Sequence, residues 1–182
     1  RIGAPVNLVQ QLPAPVDKAS TQELMQLVDL VIVTGSQSNV RTAYSSGTPA
    51  IGVGAGNVTV IVDESADLAK AAERIRLSKT FDYATSCSSE NAVVILDEVR
   101  NPMLEALCWE GGQLITKDEK NRLQSALWTK GQLNRHMLAR EPKILCERAG
   151  LERKELRDCT FLMVEESGIG PEFPFSGEKL SP

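Results

Sequence analysis

Residues 28–33, 50–53, 58–62 and 92–96 are short apolar runs dominated by valine and isoleucine. Stretches with helical periodicity follow the first, third and fourth of them. Strands joined through helices run parallel, because only a crossover connection brings the chain back to the same end of a sheet. The expected fold class is therefore α/β with a mostly parallel sheet. The first run stops at Thr34-Gly35-Ser36, and a helix is predicted over 37–46 with Ser36 at its N-cap and Gly47 and Pro49 as its stop. The second run closes at Gly54-Ala55-Gly56-Asn57. Asp63-Glu64-Ser65 is expected to open a second helix with Leu68, Ala71, Ala72 and Ile75 on its apolar face. Further helices are predicted over 102–112, 117–128 and 141–149, with a turn at 131–134, a strand at 160–164 and a Gly-, Pro- and Ser-rich tail from Glu166.

With 182 residues the chain can hold one domain or parts of two. A net charge of −4 argues against nucleic acid or an anionic membrane as partner. No apolar run approaches the ~20 residues that span a bilayer. The start at Arg1-Ile2-Gly3 carries no signal-peptide pattern, and the absent initiator methionine and the end at Pro182 predict a segment of something larger. Cys87, Cys108, Cys146 and Cys159 show no C-x-x-C spacing, and His136 is the single histidine. No metal site is expected from such a set, and free thiols in a reducing, cytoplasmic setting are.

One cysteine differs from the others. Cys87 lies in Thr85-Ser86-Cys87-Ser88-Ser89-Glu90-Asn91, a polar loop directly before an apolar strand. A thiol retained for packing has apolar neighbours; a thiol mounted on a loop at a strand end is placed as a nucleophile. Cys108, Cys146 and Cys159 sit beside Leu107, Leu145 and Phe161 and are expected to be buried. Trp109 and Trp128 are expected to pack in the core or against a neighbour, and His136 to lie in a loop. Thr34-Gly35-Ser36, between strand and helix, reads either as a simple cap or as an anion site made of backbone N–H groups. The Gly52-x-Gly54-x-Gly56-Asn57 stretch opens no helix, so it is not the usual dinucleotide fingerprint. Its glycines would let a flat ligand or another backbone approach closely.

Taken in order, Thr34-Gly35-Ser36, Gly52-Val53-Gly54-Ala55-Gly56-Asn57, Asp63-Glu64-Ser65-Ala66-Asp67, Ser78-Lys79-Thr80-Phe81-Asp82, Cys87 with Ser89-Glu90, and Glu178-Lys179-Leu180-Ser181-Pro182 resemble the CoA-acylating branch of the aldehyde dehydrogenase superfamily. The similarity extends to the aldehyde dehydrogenase half of bifunctional alcohol/aldehyde dehydrogenases, and the string around Cys87 is similar to that of acylating sulfoacetaldehyde dehydrogenases. The resemblance implies an oxidoreductase that converts an aldehyde, NAD or NADP and CoA to acyl-CoA through a thioester on Cys87, with a small polar or sulfonated aldehyde such as sulfoacetaldehyde as the candidate substrate. It implies cofactor contacts at Thr34, Gly35, Ser36, Gly52 and Gly54, and a carboxylate, Glu178, that holds the nicotinamide ribose. The Cys87 N–H would form half of an oxyanion hole, the asparagine that completes it lying before Arg1. Hydrolytic relatives activate water with a glutamate at the position that looks like Gly52; a glycine there would spare the thioester and leave room for the pantetheine arm of CoA. The resemblance also implies a homo-oligomer.

The expected organisation is the C-terminal part of a Rossmann-type NAD(P)-binding domain over 1–57 and a truncated, thiol-bearing catalytic domain over 58–182. The 182 residues alone are expected to have negligible dehydrogenase activity and to expose apolar sheet edges. Two other classes stay open on sequence: a cysteine-dependent acyltransferase or thioester hydrolase, and a non-catalytic assembly fragment.

Overall fold

The structure, a computed structural model, describes residues 3–182. The chain forms two compact units, one ending at Ala55 and one beginning at Gly56. The α/β expectation holds in both.

In the first unit, helix α1 (Lys18–Leu27) starts at Asp17, whose carboxylate accepts from the Ser20 N–H and hydroxyl, both at 2.7 Å. Strand β1 (Val31–Thr34) begins three residues later than the apolar run suggests and pairs in parallel with β2 (Ala50–Val53), Val31 opposite Ala50. Helix α2 (Gln37–Tyr44) connects them. Its N-cap is Ser36, whose hydroxyl accepts from Asn39 N–H. Val31, Val40 and Ala43 are the buried hydrophobics of this unit, whereas Ile32, Ile51 and Val53 stand exposed on the sheet face opposite Gly52.

The second unit pairs β3 (Val58–Val62) in parallel with β4 (Glu90–Ile95). Between them runs α3 (Leu68–Thr80), which begins at Asp67 rather than at Asp63-Glu64-Ser65. The Asp63 carboxylate accepts from the Ser65 N–H and hydroxyl, so those three residues form a turn ahead of the helix. Helix α4 (Arg100–Trp109) leads to β5 (Gly112–Leu114), and α5 (Lys117–Leu127) follows. Strands β6 (Trp128–Thr129) and β7 (Gln132–Leu133) form a hairpin over Lys130-Gly131, at φ 52° and 75°. Two successive positive φ values match a twisted two-residue hairpin turn. Helix α6 (Pro142–Ala149) ends at Gly150, which is left-handed, and β8 (Phe161–Met163) returns parallel to β5.

Two cores support these elements. Val62, Ala72, Ile75, Met103, Leu107 and Phe161 pack beneath β3 and β4, with Leu68 and Ala71 of the expected helix face against them. Leu123, Leu127, Met137, Leu145, Leu156 and Phe175 form the other, with Trp128 edge-on to Phe175 at 4.9 Å. Two cysteines depart from their expected burial: Cys108 is exposed and Cys159 is half-buried. Trp109 is 91% exposed, which leaves packing against a neighbour as its expected role. Cys108 and Trp109 lie in the last turn of α4, whose Met103 and Leu107 supply the buried contacts. Among the described residues no helix is long and apolar enough to cross a membrane.

Candidate active site

The thiol is carried by a tightly folded loop. At the end of α3 the Thr80 hydroxyl donates to the Arg76 carbonyl, and Asp82, Tyr83 and Ala84 then turn the chain with φ of 47°, 50° and 59°. Three non-glycine residues in the left-handed region cost roughly 1–2 kcal/mol each, so the turn must be held by its surroundings. Ala84 is buried, Thr85 donates to the Asp82 carbonyl through both N–H (3.1 Å) and hydroxyl (2.6 Å), and the Tyr83 hydroxyl donates to Glu141 at 2.9 Å. The bond to that carboxylate raises the Tyr83 pKa, since phenolate there would face a negative charge.

Cys87 sits exposed at the apex. Two of its hydroxyl neighbours, Ser86 and Ser88, share a hydrogen bond of 2.8 Å, and the Ser89 backbone N–H donates to the Ser86 carbonyl at 3.0 Å. These groups hold the loop's shape, a simpler reason for their density than contacts to a polar substrate. Among the described residues no acceptor takes the Cys87 N–H, which leaves it available to a developing oxyanion. A Cβ added to Gly56 would lie 3.5 Å from the Cys87 carbonyl, so β3 enters directly beside the thiol loop.

Glu178 is tied to the same place. Asn57 Nδ2 donates to the Ser176 carbonyl at 2.8 Å, and Lys179 N–H donates to Asn91 Oδ1 at 3.1 Å. Lys179 Nζ donates to the carbonyls of Asn91 (2.8 Å), Phe175 (2.7 Å) and Gly177 (2.7 Å). Behind these contacts lies a cavity of about 830 Å³ lined in part by Lys79, Glu90, Asn91 and Lys179. Lys79 Nζ and Glu90 Oε2, from its lining, and Ser89 Oγ are buried without hydrogen-bond partners. Burial pushes Lys79 down to about 8 against the pull of Glu90. Burial, reinforced by the charge of Lys79 and opposed by Glu166, pushes Lys179 down to about 7.

In the first unit Thr34, Gly35 and Ser36 are exposed at the β1–α2 junction. Gly35 has φ 123°, which favours glycine, and its N–H is already bound to the Val53 carbonyl at 3.2 Å. The Ser36 hydroxyl accepts the Asn39 N–H, so the groups left for an anion are the open amides of the first turn of α2. Gly52 does not leave room for a ligand. A Cβ there would lie 2.7 Å from Val40 Cγ1 and 3.0 Å from the Tyr44 ring, and its N–H donates to the Tyr44 hydroxyl at 3.1 Å. Its glycine is required by the packing of α2 on β2, and a side chain at this point would be aimed at α2. At Gly54 the obstacle is the end of the flexible Gln37 side chain.

The structure thus brings Cys87 and Glu178 into one unit through β3 and β4, while Thr34, Gly35, Ser36, Gly52 and Gly54 belong to the other. His136 is exposed in the turn after β7. Its N–H donates to Asn134 and its carbonyl accepts from Arg148, and among the described residues no hydrogen bond ties it to Cys87. Asn57, Lys79, Asn91 and Lys179 have no role in the sequence reading. Lys79 left a visible sign, since it falls on the same helical face as Ala72 and Ile75, where an apolar residue is the rule.

No protein-family model matches the chain. Individual relatives do. The chain is 54% identical over 182 residues to the acylating sulfoacetaldehyde dehydrogenase of Cupriavidus necator, and 42% identical over 187 residues to that of Bilophila wadsworthia. All of this chain is covered in both matches, against 37% and 40% of the relatives, so it spans well under half their length. The crystal structure of an acetylating aldehyde dehydrogenase from Geobacillus thermoglucosidasius superimposes with a TM-score of 0.86 at 40% identity, over 91% of this chain and 37% of that one. By sequence along its whole length and by fold, the chain corresponds to a segment of the acylating aldehyde dehydrogenases.

Proposed function

We propose that this chain carries the nucleophile of a CoA-acylating aldehyde dehydrogenase. The supporting observation is the exposed Cys87 thiol, on a loop where the Thr85, Ser86 and Ser88 hydroxyls are internally paired and the apical N–H meets no acceptor among the described residues. Cys87 Sγ adds to the aldehyde carbon, and the alkoxide that forms is met by the Cys87 N–H. A bound NAD(P) would supply the hydride acceptor for that carbon, and Cys87 would then carry the acyl group as a thioester. Attack of the CoA thiol at the thioester carbonyl breaks the bond to Sγ and restores the Cys87 thiolate. Glu178 would hold the nicotinamide ribose, and the open amides at the start of α2 suit the cofactor phosphates, with Thr34, Gly35 and Ser36 beside them. On this reading residues 1–57 end the cofactor-binding domain and residues 58–182 form the thiol-bearing part of the catalytic domain.

Sulfoacetaldehyde is the proposed substrate, on the strength of the two acylating relatives at 54% and 42% identity. The preference for CoA over water does not rest on Gly52, because that position faces α2. The carboxylate bonded to the thiol turn, Glu141, accepts from the Tyr83 hydroxyl. The test is absorbance at the NADH maximum with the whole enzyme, sulfoacetaldehyde and NAD+. A rise that requires CoA is expected. Hydrolysis of thioesters without cofactor, and no CoA-dependent rise, would favour a cysteine hydrolase instead.

A further inference from the structure

We infer that Asn91 is a positioning residue that sets the carboxylate of Glu178 against the Cys87 loop; the inference rests on the reading of Glu178 as the ribose-binding group. The register of β3 and β4 pairs Val58 with Glu90 and Thr59 with Ala92, so Asn91 is the extra residue of a β-bulge. A bulge leaves its residue outside the ladder and re-aims the side chain. Asn91 uses that freedom on both sides. Its Nδ2 donates to the Ser89 carbonyl at 3.3 Å, two residues beyond the nucleophile, and its Oδ1 accepts the Lys179 N–H at 3.1 Å, one residue beyond Glu178. A carboxamide carries a donor and an acceptor at one end and can bridge two backbones in this way; a carboxylate or hydroxyl of similar size offers only part of it.

The Asn91 backbone carbonyl accepts from Lys179 Nζ at 2.8 Å. Because that ammonium also binds the Phe175 and Gly177 carbonyls, residues 175–179 are wound about one charge and fastened to the bulge. Asn57 fastens the same segment at Ser176 from the β3 side. Of the side chains that hold this segment, Asn91 is the one that also bonds the thiol loop at Ser89, and it thereby registers Glu178 to that loop.

The test uses the whole enzyme and compares Asn91→Ala, Asn91→Asp, Glu178→Gln and the Asn91→Ala/Glu178→Gln double variant. Loss of the bridge should raise the KM for NAD+ about tenfold and lower kcat. Alkylation of Cys87 by iodoacetamide without cofactor should stay within about twofold of the unaltered enzyme, since the thiol itself is untouched. Asn91→Asp keeps the acceptor for Lys179 N–H but loses the donor to the Ser89 carbonyl, and should recover only part of the KM. The double variant should be no worse than Glu178→Gln, because both changes remove one function. An unchanged KM and kcat in Asn91→Ala, or additive effects in the double variant, would overturn the inference while leaving the role of Glu178 standing. Unaltered NAD+ kinetics in Glu178→Gln would instead remove the reading on which it rests. Should the alanine variant fail to fold, Asn91→Ser, too short to bridge both backbones, takes its place with the same expected and contrary results.

Discussion

Two kinds of residue at the site do work that their chemical type alone does not announce. Gly52, in a glycine-dense stretch suited to a ligand, is instead the floor on which Val40 and Tyr44 of α2 rest. Gly52→Ala should therefore destabilise the chain by about 1–3 kcal/mol, as overpacking does, and lower the urea midpoint without altering the reactivity of Cys87. Lys79 is the second kind, an ammonium buried without a partner. Its pKa is lower in the folded than in the unfolded chain, so the unfolded state holds more protons between about pH 8 and the ordinary lysine range, and stability should rise with pH as Lys79 deprotonates. Lys179, pushed down to about 7, acts in the same direction. Urea titrations at about pH 8 and about pH 10 should show the increase, and Lys79→Met should reduce it to the share that Lys179 leaves; an unchanged slope in that variant would assign the effect elsewhere.

Among elements, α5 shows how much a local pattern decides. Thr116 and Glu119 form a reciprocal capping box: the hydroxyl accepts the Glu119 N–H at 3.3 Å and the carboxylate accepts the Thr116 N–H at 2.8 Å. Burial pushes Glu119 up, but the Thr116 N–H and the Arg153 guanidinium outweigh it and hold its carboxyl below the usual range. Thr116→Ala should cost about 1 kcal/mol, read as a fall in Tm. Strands β2 and β3 fall where their apolar runs lie, because turn residues bound those runs on both sides. Strand β5 and the β6–β7 hairpin escaped the sequence reading, being only two or three residues long. In β5 the pairing turns on Gly112, where a Cβ would meet the Phe161 ring at 2.5 Å, a contact no local pattern encodes. Helix α1 escaped for the opposite reason. It buries none of its residues, so it has no apolar stripe to read.

In the molecule as a whole, the cores are unequal. The first unit buries Val31, Val40 and Ala43, while the second holds two clusters of large side chains. Amides of β1 and β2 should exchange with solvent well before those of β3 and β4, measurable by hydrogen exchange with peptide-level readout. Equal protection would show that the units open together. The same division explains what could be read of the site. Cys87 was legible because its polar neighbours contrast with the strand beside them. The Asn91–Lys179 contact was not, because it joins residues 88 positions apart through a bulge that only pairing creates. Central to the whole account is a thioester on a single sulfur, and peptide mass spectrometry of the whole enzyme quenched after aldehyde and NAD+ without CoA tests it directly. The added mass of one acyl group on the Cys87 peptide, removed on adding CoA, is the predicted result; an acyl group on another residue, or none while NADH still forms, would contradict it.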